Sequence, residues 1–136
     1  MTTTMELGEK LLKEAGWIFE KDLKIAVEEG NYNLAVRRAQ EVVELAIKGC
    51  LRMLGIDYPK VHDAGYIFSI EASKMLPFKE SSLREIERIS KWLAEARAPS
   101  FYGEKDFTRK DAIKALEDAT FVLEEITSML REARRR

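Results

Sequence analysis

Residues Asn31 to Gly55, NYNLAVRRAQEVVELAIKGCLRMLG, constrain this chain more than any other stretch. As a helix it makes about six turns at 3.6 residues per turn. One seam is Ala35, Ala39, Val42, Ala46, Gly49 and Met53, and a bulkier one is Val36, Val43, Ile47, Cys50 and Leu54. Gln40 is the single polar member of the second seam, and Leu34, Leu45 and Leu51 widen the apolar arc. Only Arg37, Glu41, Glu44, Lys48 and Arg52 form a polar stripe, with Arg37–Glu41 and Glu44–Lys48 spaced as i,i+4 ion pairs. A helix apolar over most of its girth needs neighbours on several sides, so the chain must be a helical bundle built around this member.

The neighbours are legible on both sides. A first helix is expected from Met5 to Glu29, with Leu11, Ala15, Ile18 and Ile25 inward, Leu12, Phe19, Leu23, Ala26 and Val27 widening that face, and Gly16 as a place for close helix contact. Gly30 ends it and Asn31 caps the next, which forces an antiparallel hairpin. After GIDYPKVHD, where Pro59 suits a turn or a first helical position, a shorter helix is expected from Lys60 to Met75. A capping-box pattern, Ser82 to Glu85, opens a fourth, and Pro99 is expected to end it. Ala98 to Phe107 then reads as an irregular, aromatic-rich loop, and Thr108 to Asp111 as a second capping box before a last long helix. No strand pattern occurs. The expected fold is all-α: one domain over residues 1–136, an up-and-down four-helix bundle with an additional short helix.

Composition excludes several classes of function. With 23 basic and 24 acidic residues the net charge is -1, so no global field announces nucleic acid or an acidic membrane. The single cysteine, Cys50, rules out a disulfide framework and favours a cytoplasmic setting. The N-terminal MTTTMELGEKLL lacks the pattern of a signal peptide, and no segment approaches the ~18 consecutive apolar residues of a membrane span. The lone His62, with no Glu-x-x-His pair, supports no metal site, and neither common phosphate-loop motif occurs; no cofactor is expected.

Four features stand above this background. Gln40 is an amide that needs a partner inside an apolar seam. His62 is expected at the start of the third helix, either as a helix-entry histidine bonded to backbone or as a site residue. Arg97, just before Phe101 and Tyr102, either bonds the last carbonyls of its own helix or grips a phosphate while the rings stack a base. The tail of Arg131 and Arg134 to Arg136 either complements the negative end of its helix dipole or contacts nucleic acid, the first being the expectation.

These residues also resemble a known family. Asp22-Leu23, Ala26, Ala35, Ala39-Gln40, Glu44, Lys48 and His62, followed by the block from Phe101 to Ala119, resemble the HEPN domain (higher eukaryote and prokaryote nucleotide-binding) from about Trp17 to Leu130. The resemblance implies a dimer-forming bundle with a prokaryotic role beside a minimal nucleotidyltransferase, in a toxin–antitoxin or related module. Many members are metal-independent ribonucleases using an Arg followed after four to six residues by His. Here Tyr102 stands where that His would follow Arg97, and His62 lies ten positions after Arg52. Tyrosine, with an ordinary pKa of about 10, is a poor general base near neutral pH. The expectation is therefore a non-catalytic protein binding a nucleotide, an RNA or the nucleotidyltransferase, with Arg97, Tyr102, Lys48, Arg109 and His62 as ligand-binding candidates. A ribonuclease with a degenerate Arg97/Tyr102 site and a purely structural dimeric scaffold are the alternatives.

Overall fold

The computed structural model of the chain describes residues 3–58 and 60–135. The expected turn at Pro59 and the final Arg136 lie outside them. The elements are α1 (Thr4–Ile18), a π-helical turn (Phe19–Leu23), α2 (Lys24–Glu28), α3 (Tyr32–Met53), α4 (Gly65–Met75), α5 (Glu80–Tyr102) and α6 (Arg109–Arg134). Among the described residues there is no strand, and no helix is long and apolar enough to cross a membrane.

The central stretch is the hub, as its pattern requires. α3 packs against α1, α5, α6 and α4, and both its seams are buried as far as Leu51. Asn31 caps it, its side chain accepting from the Leu34 N–H, and Gly30 and Gly55 take positive φ at its two ends. The α3 start lies against the end of α5 and the start of α6: Asn33 Nδ2 donates to the Lys105 carbonyl at 2.9 Å, and its Oδ1 accepts from the Phe107 N–H at 2.9 Å. Arg134 near the end of α6 pairs with Glu9 of α1. The long rods therefore alternate in direction, α1–α2, α3, α5, α6, with α4 inserted before α5.

The first rod departs from its expected register. α1 and α2 are one continuous helix with a π-helical turn between them, which inserts one residue into the α-helical repeat. Leu23 and Ala26 face the core as expected, while Ile25, also expected inward, is 46% exposed. The turn also presents Asp22 to α3, where its carboxylate takes Arg38 Nε at 2.8 Å. Gly16 makes no close contact; the tight crossing of α1 and α3 falls instead at Gly8 and Gly49.

Three helix ends differ as well. α4 begins at Gly65, not Lys60, because Asp63 accepts from the Gly65 N–H at 3.1 Å and from Ser90 Oγ at 2.7 Å, holding the preceding residues as a strap. α5 opens at Glu80, with Lys79 at the cap position and no side-chain cap bond, so Ser82 to Glu85 lies inside a helix already begun and forms no capping box. Pro99 does not end α5. A proline this close to the helix end removes only one backbone bond, and α5 continues to Tyr102 before Gly103 turns left-handed with φ 70°. The capping box from Thr108 to Asp111 forms as expected, and the Thr108 backbone N–H holds the Asp111 carboxyl below its ordinary value.

Candidate functional site

Tyr58 and His62, from the connection between α3 and α4, both lie against the C-terminal half of the α3 polar stripe. Tyr58 places its ring 5.2 Å from Lys48 Nζ and 5.1 Å from the Arg52 guanidinium carbon. Arg52 bonds Asp57 at 3.0 Å, but its Nε is buried without a partner. Lys48 is only 8% exposed, so this half of the stripe is covered rather than solvated. The strap then delivers His62 onto Glu44, with Nδ1 2.7 Å from Oε1.

Glu44 is the junction of the polar cluster. Besides His62 it accepts from Gln40 Nε2 at 2.7 Å and from Lys48 Nζ at 2.8 Å, the second expected ion pair. Burial pushes its carboxyl up, but the hydrogen bonds from Lys48, Gln40 and His62, with the Lys48 charge, outweigh burial and hold it below its ordinary value. Gln40 finds the partner its burial demands: its Oε1 accepts from Arg97 Nη1 across the α3–α5 interface. One chain of contacts thus runs from Arg97 through Gln40 and Glu44 to His62 and Lys48.

Arg97 and His62 line a common cleft of about 350 Å³ with Ala94, Ala98, Phe101 and Tyr102. A smaller recess of about 190 Å³ beside it is lined by Glu41, Glu44, Leu45, His62 and Arg97. Because α5 runs past Pro99, Ala94, Arg97, Ala98 and Phe101 fall on one helical face, and that face is the cleft wall. Phe101 and Tyr102 are 61% and 71% exposed and pack edge to face at 4.9 Å. The other expected ion pair does not form: Arg37 lies over the Phe101 ring at 5.1 Å, and Glu41 pairs with Arg38.

Of the five residues singled out from the sequence, Arg97, His62 and Tyr102 meet at this cleft. Lys48 lies behind it, engaged with Glu44 beneath Tyr58. Arg109 is not brought to it; it lines a separate groove with Lys110, Ile113, Lys114 and Glu117. Arg97 is not spent on the carbonyls ending its own helix, since its Nη1 goes to Gln40. Sequence reasoning missed Asn33, Arg38 and the engagement of Glu44 by His62; Asn33 and Arg38 lie on the exposed edge of the pattern and give no signal of their distant partners. Among the described residues no three His, Cys, Asp or Glu side chains cluster as a metal site. Burial pushes the Cys50 thiol up to about 12, which keeps it protonated and unreactive.

Fold and cleft together define a small helical bundle with an Arg- and His-lined cleft beneath exposed aromatic rings. The HEPN domain model matches residues 9–130, nearly the whole chain, and the chain belongs to the HEPN domain family. The bundle is similar to the crystal structure of an archaeal HEPN homologue, with a TM-score of 0.68 and 22% identity, covering 94% of this chain and 98% of that one. A comparison with curated proteins finds no match.

Proposed function

We propose that this chain binds a nucleotide or RNA without cleaving it, at the cleft formed by Arg97, His62, Phe101 and Tyr102. The observation that carries this reading is that a guanidinium, an imidazole and two exposed aromatic rings share one concave surface. Among the described residues Arg97 uses only Nη1 in a protein hydrogen bond, so further donors of its planar fork are free for phosphate oxygens. The Tyr102 ring, 71% exposed, suits base stacking, worth about 1–3 kcal/mol per base. Arg97→Ala should weaken binding of a mononucleotide or short RNA roughly 10- to 150-fold in a calorimetric titration, the range for a lost charge-assisted hydrogen bond. An unchanged affinity would place the site elsewhere. Membership of the HEPN family supports a wider setting: a homodimer working beside a minimal nucleotidyltransferase in a toxin–antitoxin-like module. Co-purification with such an enzyme tests that part.

One observation favours a second reading, a metal-independent ribonuclease. The pairing is then Arg97 with His62 and not with Tyr102. Glu44 at Nδ1 favours the tautomer that leaves Nε2 as a proton acceptor, and Arg97 lines the same cleft. RNA incubated with the protein in EDTA distinguishes the two: intact RNA over hours leaves the binding reading, and cleavage lost in His62→Ala establishes the catalytic one.

A further inference from the structure

We infer that Gln40 is a positioning residue: a neutral spacer that keeps Arg97 from pairing with Glu44 and Glu41 and so leaves its charge available to the ligand. The inference rests on the reading of the Arg97 cleft as an anion-binding site.

The geometry is specific about residue type. Gln40 is 2% exposed and sits in the α3 apolar seam with Val36, Val43 and Ile47. A filler for that seam would be Leu or Met; a buried amide is kept only where both its ends are satisfied. Here they are, and by groups of opposite charge: the carbonyl oxygen accepts from Arg97 Nη1 and the amide nitrogen donates to Glu44 Oε1. A carboxylate at this position has no proton for Glu44, and an amine has no acceptor for Arg97. Only an uncharged side chain with a donor and an acceptor can stand between the guanidinium and the carboxylate.

The recess shows what the spacer prevents. Glu41 and Glu44 both line it beside Arg97. A guanidinium and a carboxylate in direct contact at a partly buried site attract more strongly than in water and form bidentate pairs that occupy the fork. Such a pair would neutralise Arg97 and turn its donors away from the cleft. Glu44 is instead satisfied from three other directions, by Lys48, Gln40 and His62, and Glu41 is held by Arg38, itself anchored on Asp22 of the π-helical turn. Each carboxylate near Arg97 therefore has another partner, and Gln40 completes the separation.

Two variants test this. Gln40→Met keeps the volume and removes the spacer; Gln40→Glu keeps the acceptor and supplies Arg97 with a direct counter-charge. Both should bind a mononucleoside monophosphate at least tenfold more weakly than the unaltered chain, with Gln40→Glu still melting cooperatively. A crystal structure of Gln40→Met without ligand reports the same event independently. Its Arg97 guanidinium should lie within salt-bridge distance of Glu44 or Glu41, the two carboxylates that line the recess beside it. A merely structural Gln40 would lower the melting temperature of Gln40→Met but leave both the affinity and the position of Arg97 unchanged, and that result overturns the inference. If Arg97 moves onto a carboxylate in Gln40→Met while the unaltered chain binds neither nucleotide nor RNA, the ligand reading fails and the spacer role stands.

Discussion

Glu44 concentrates more of the site than any other residue, and its titration is the most direct handle on it. Its carboxyl is held below the ordinary value of 4.5 because Lys48, Gln40 and His62 all favour the charged form. The unfolded chain therefore takes up this proton more readily than the folded one. The stabilisation is fully present above about pH 4.5 and is lost as the pH falls through the lower folded value. Glu44→Gln should be about 1–3 kcal/mol less stable near neutral pH, since it leaves the buried Lys48 ammonium without its counter-charge. It should also lose part of the steep acid-side decline, so its urea midpoint approaches that of the unaltered chain as the pH drops below about 4.5. Parallel curves for the two proteins would show that Glu44 is not a linked group. The sequence marks Glu44 as an i,i+4 partner of Lys48 and as part of the family pattern, but not as a partner of His62. The approach of His62, eighteen positions away, depends on where the strap lies against α3, and no periodicity encodes that.

At the scale of the element, glycine positions separate local from tertiary demands. An ideal Cβ on Gly8 would lie 2.6 Å from the Gly49 carbonyl oxygen and 2.8 Å from the Met53 nitrogen, and would also strike Met53 Cγ. Two of these atoms are backbone, so the helices must move apart. Gly16 has open space around its missing Cβ. Gly16→Ala should therefore gain roughly 0.5–1 kcal/mol from helix propensity. Gly8→Ala should lose about 1–3 kcal/mol from overpacking, partly offset by the same propensity. Urea denaturation of the two variants checks the opposite signs; equal stabilisation would mean that α1 and α3 do not cross at Gly8. The repeat of apolar residues makes both glycines look alike, because a one-dimensional pattern locates a helix face but not the point of closest approach. The same limit hides the π-helical turn. Ile18 and Ile25 fit an uninterrupted repeat, and only burial reveals that Ile25 has left the inner face while Leu23 and Ala26 stay on it. Thr108 to Asp111 was legible because it lies where the helix begins; Ser82 to Glu85 has the same spacing two residues inside α5 and so misleads.

Across the whole molecule, α3 is packed by α1, α4, α5 and α6, while large apolar side chains stay exposed on the first rod and on the α4–α5 hairpin. α4 and α5 form a hairpin in which Gly65 meets Ser90, and Ser69 meets Leu83 and Glu87. Along it, Ile70 and Tyr66 of α4, Val61 of the strap, and Phe101 and Tyr102 at the end of α5 are all exposed. The far side of α5 is occupied differently: Asp118 of α6 accepts from Trp92 Nε1 at 2.9 Å and pairs with Lys114 and Arg88, which ties α5 to α6. Tyr66 and Ile70 lie four residues apart on α4 and so are neighbours on its surface, and adjacent exposed side chains mark an interaction surface more reliably than scattered ones. We propose this α4 surface as the contact of the homodimer. Tyr66→Asp combined with Ile70→Asp should convert a dimer to a monomer by light scattering without lowering the melting temperature of the separate chain. Neither side chain lies in the core, so loss of folding is not the expected cost. A double variant that remains dimeric would move the contact elsewhere, with the exposed Trp17 and Ile25 face of the first rod as the next surface to alter. Nucleotide affinity measured on the monomeric variant then separates dimerisation from binding: an unchanged affinity means each chain holds a complete cleft, and a parallel loss means the second copy contributes to it.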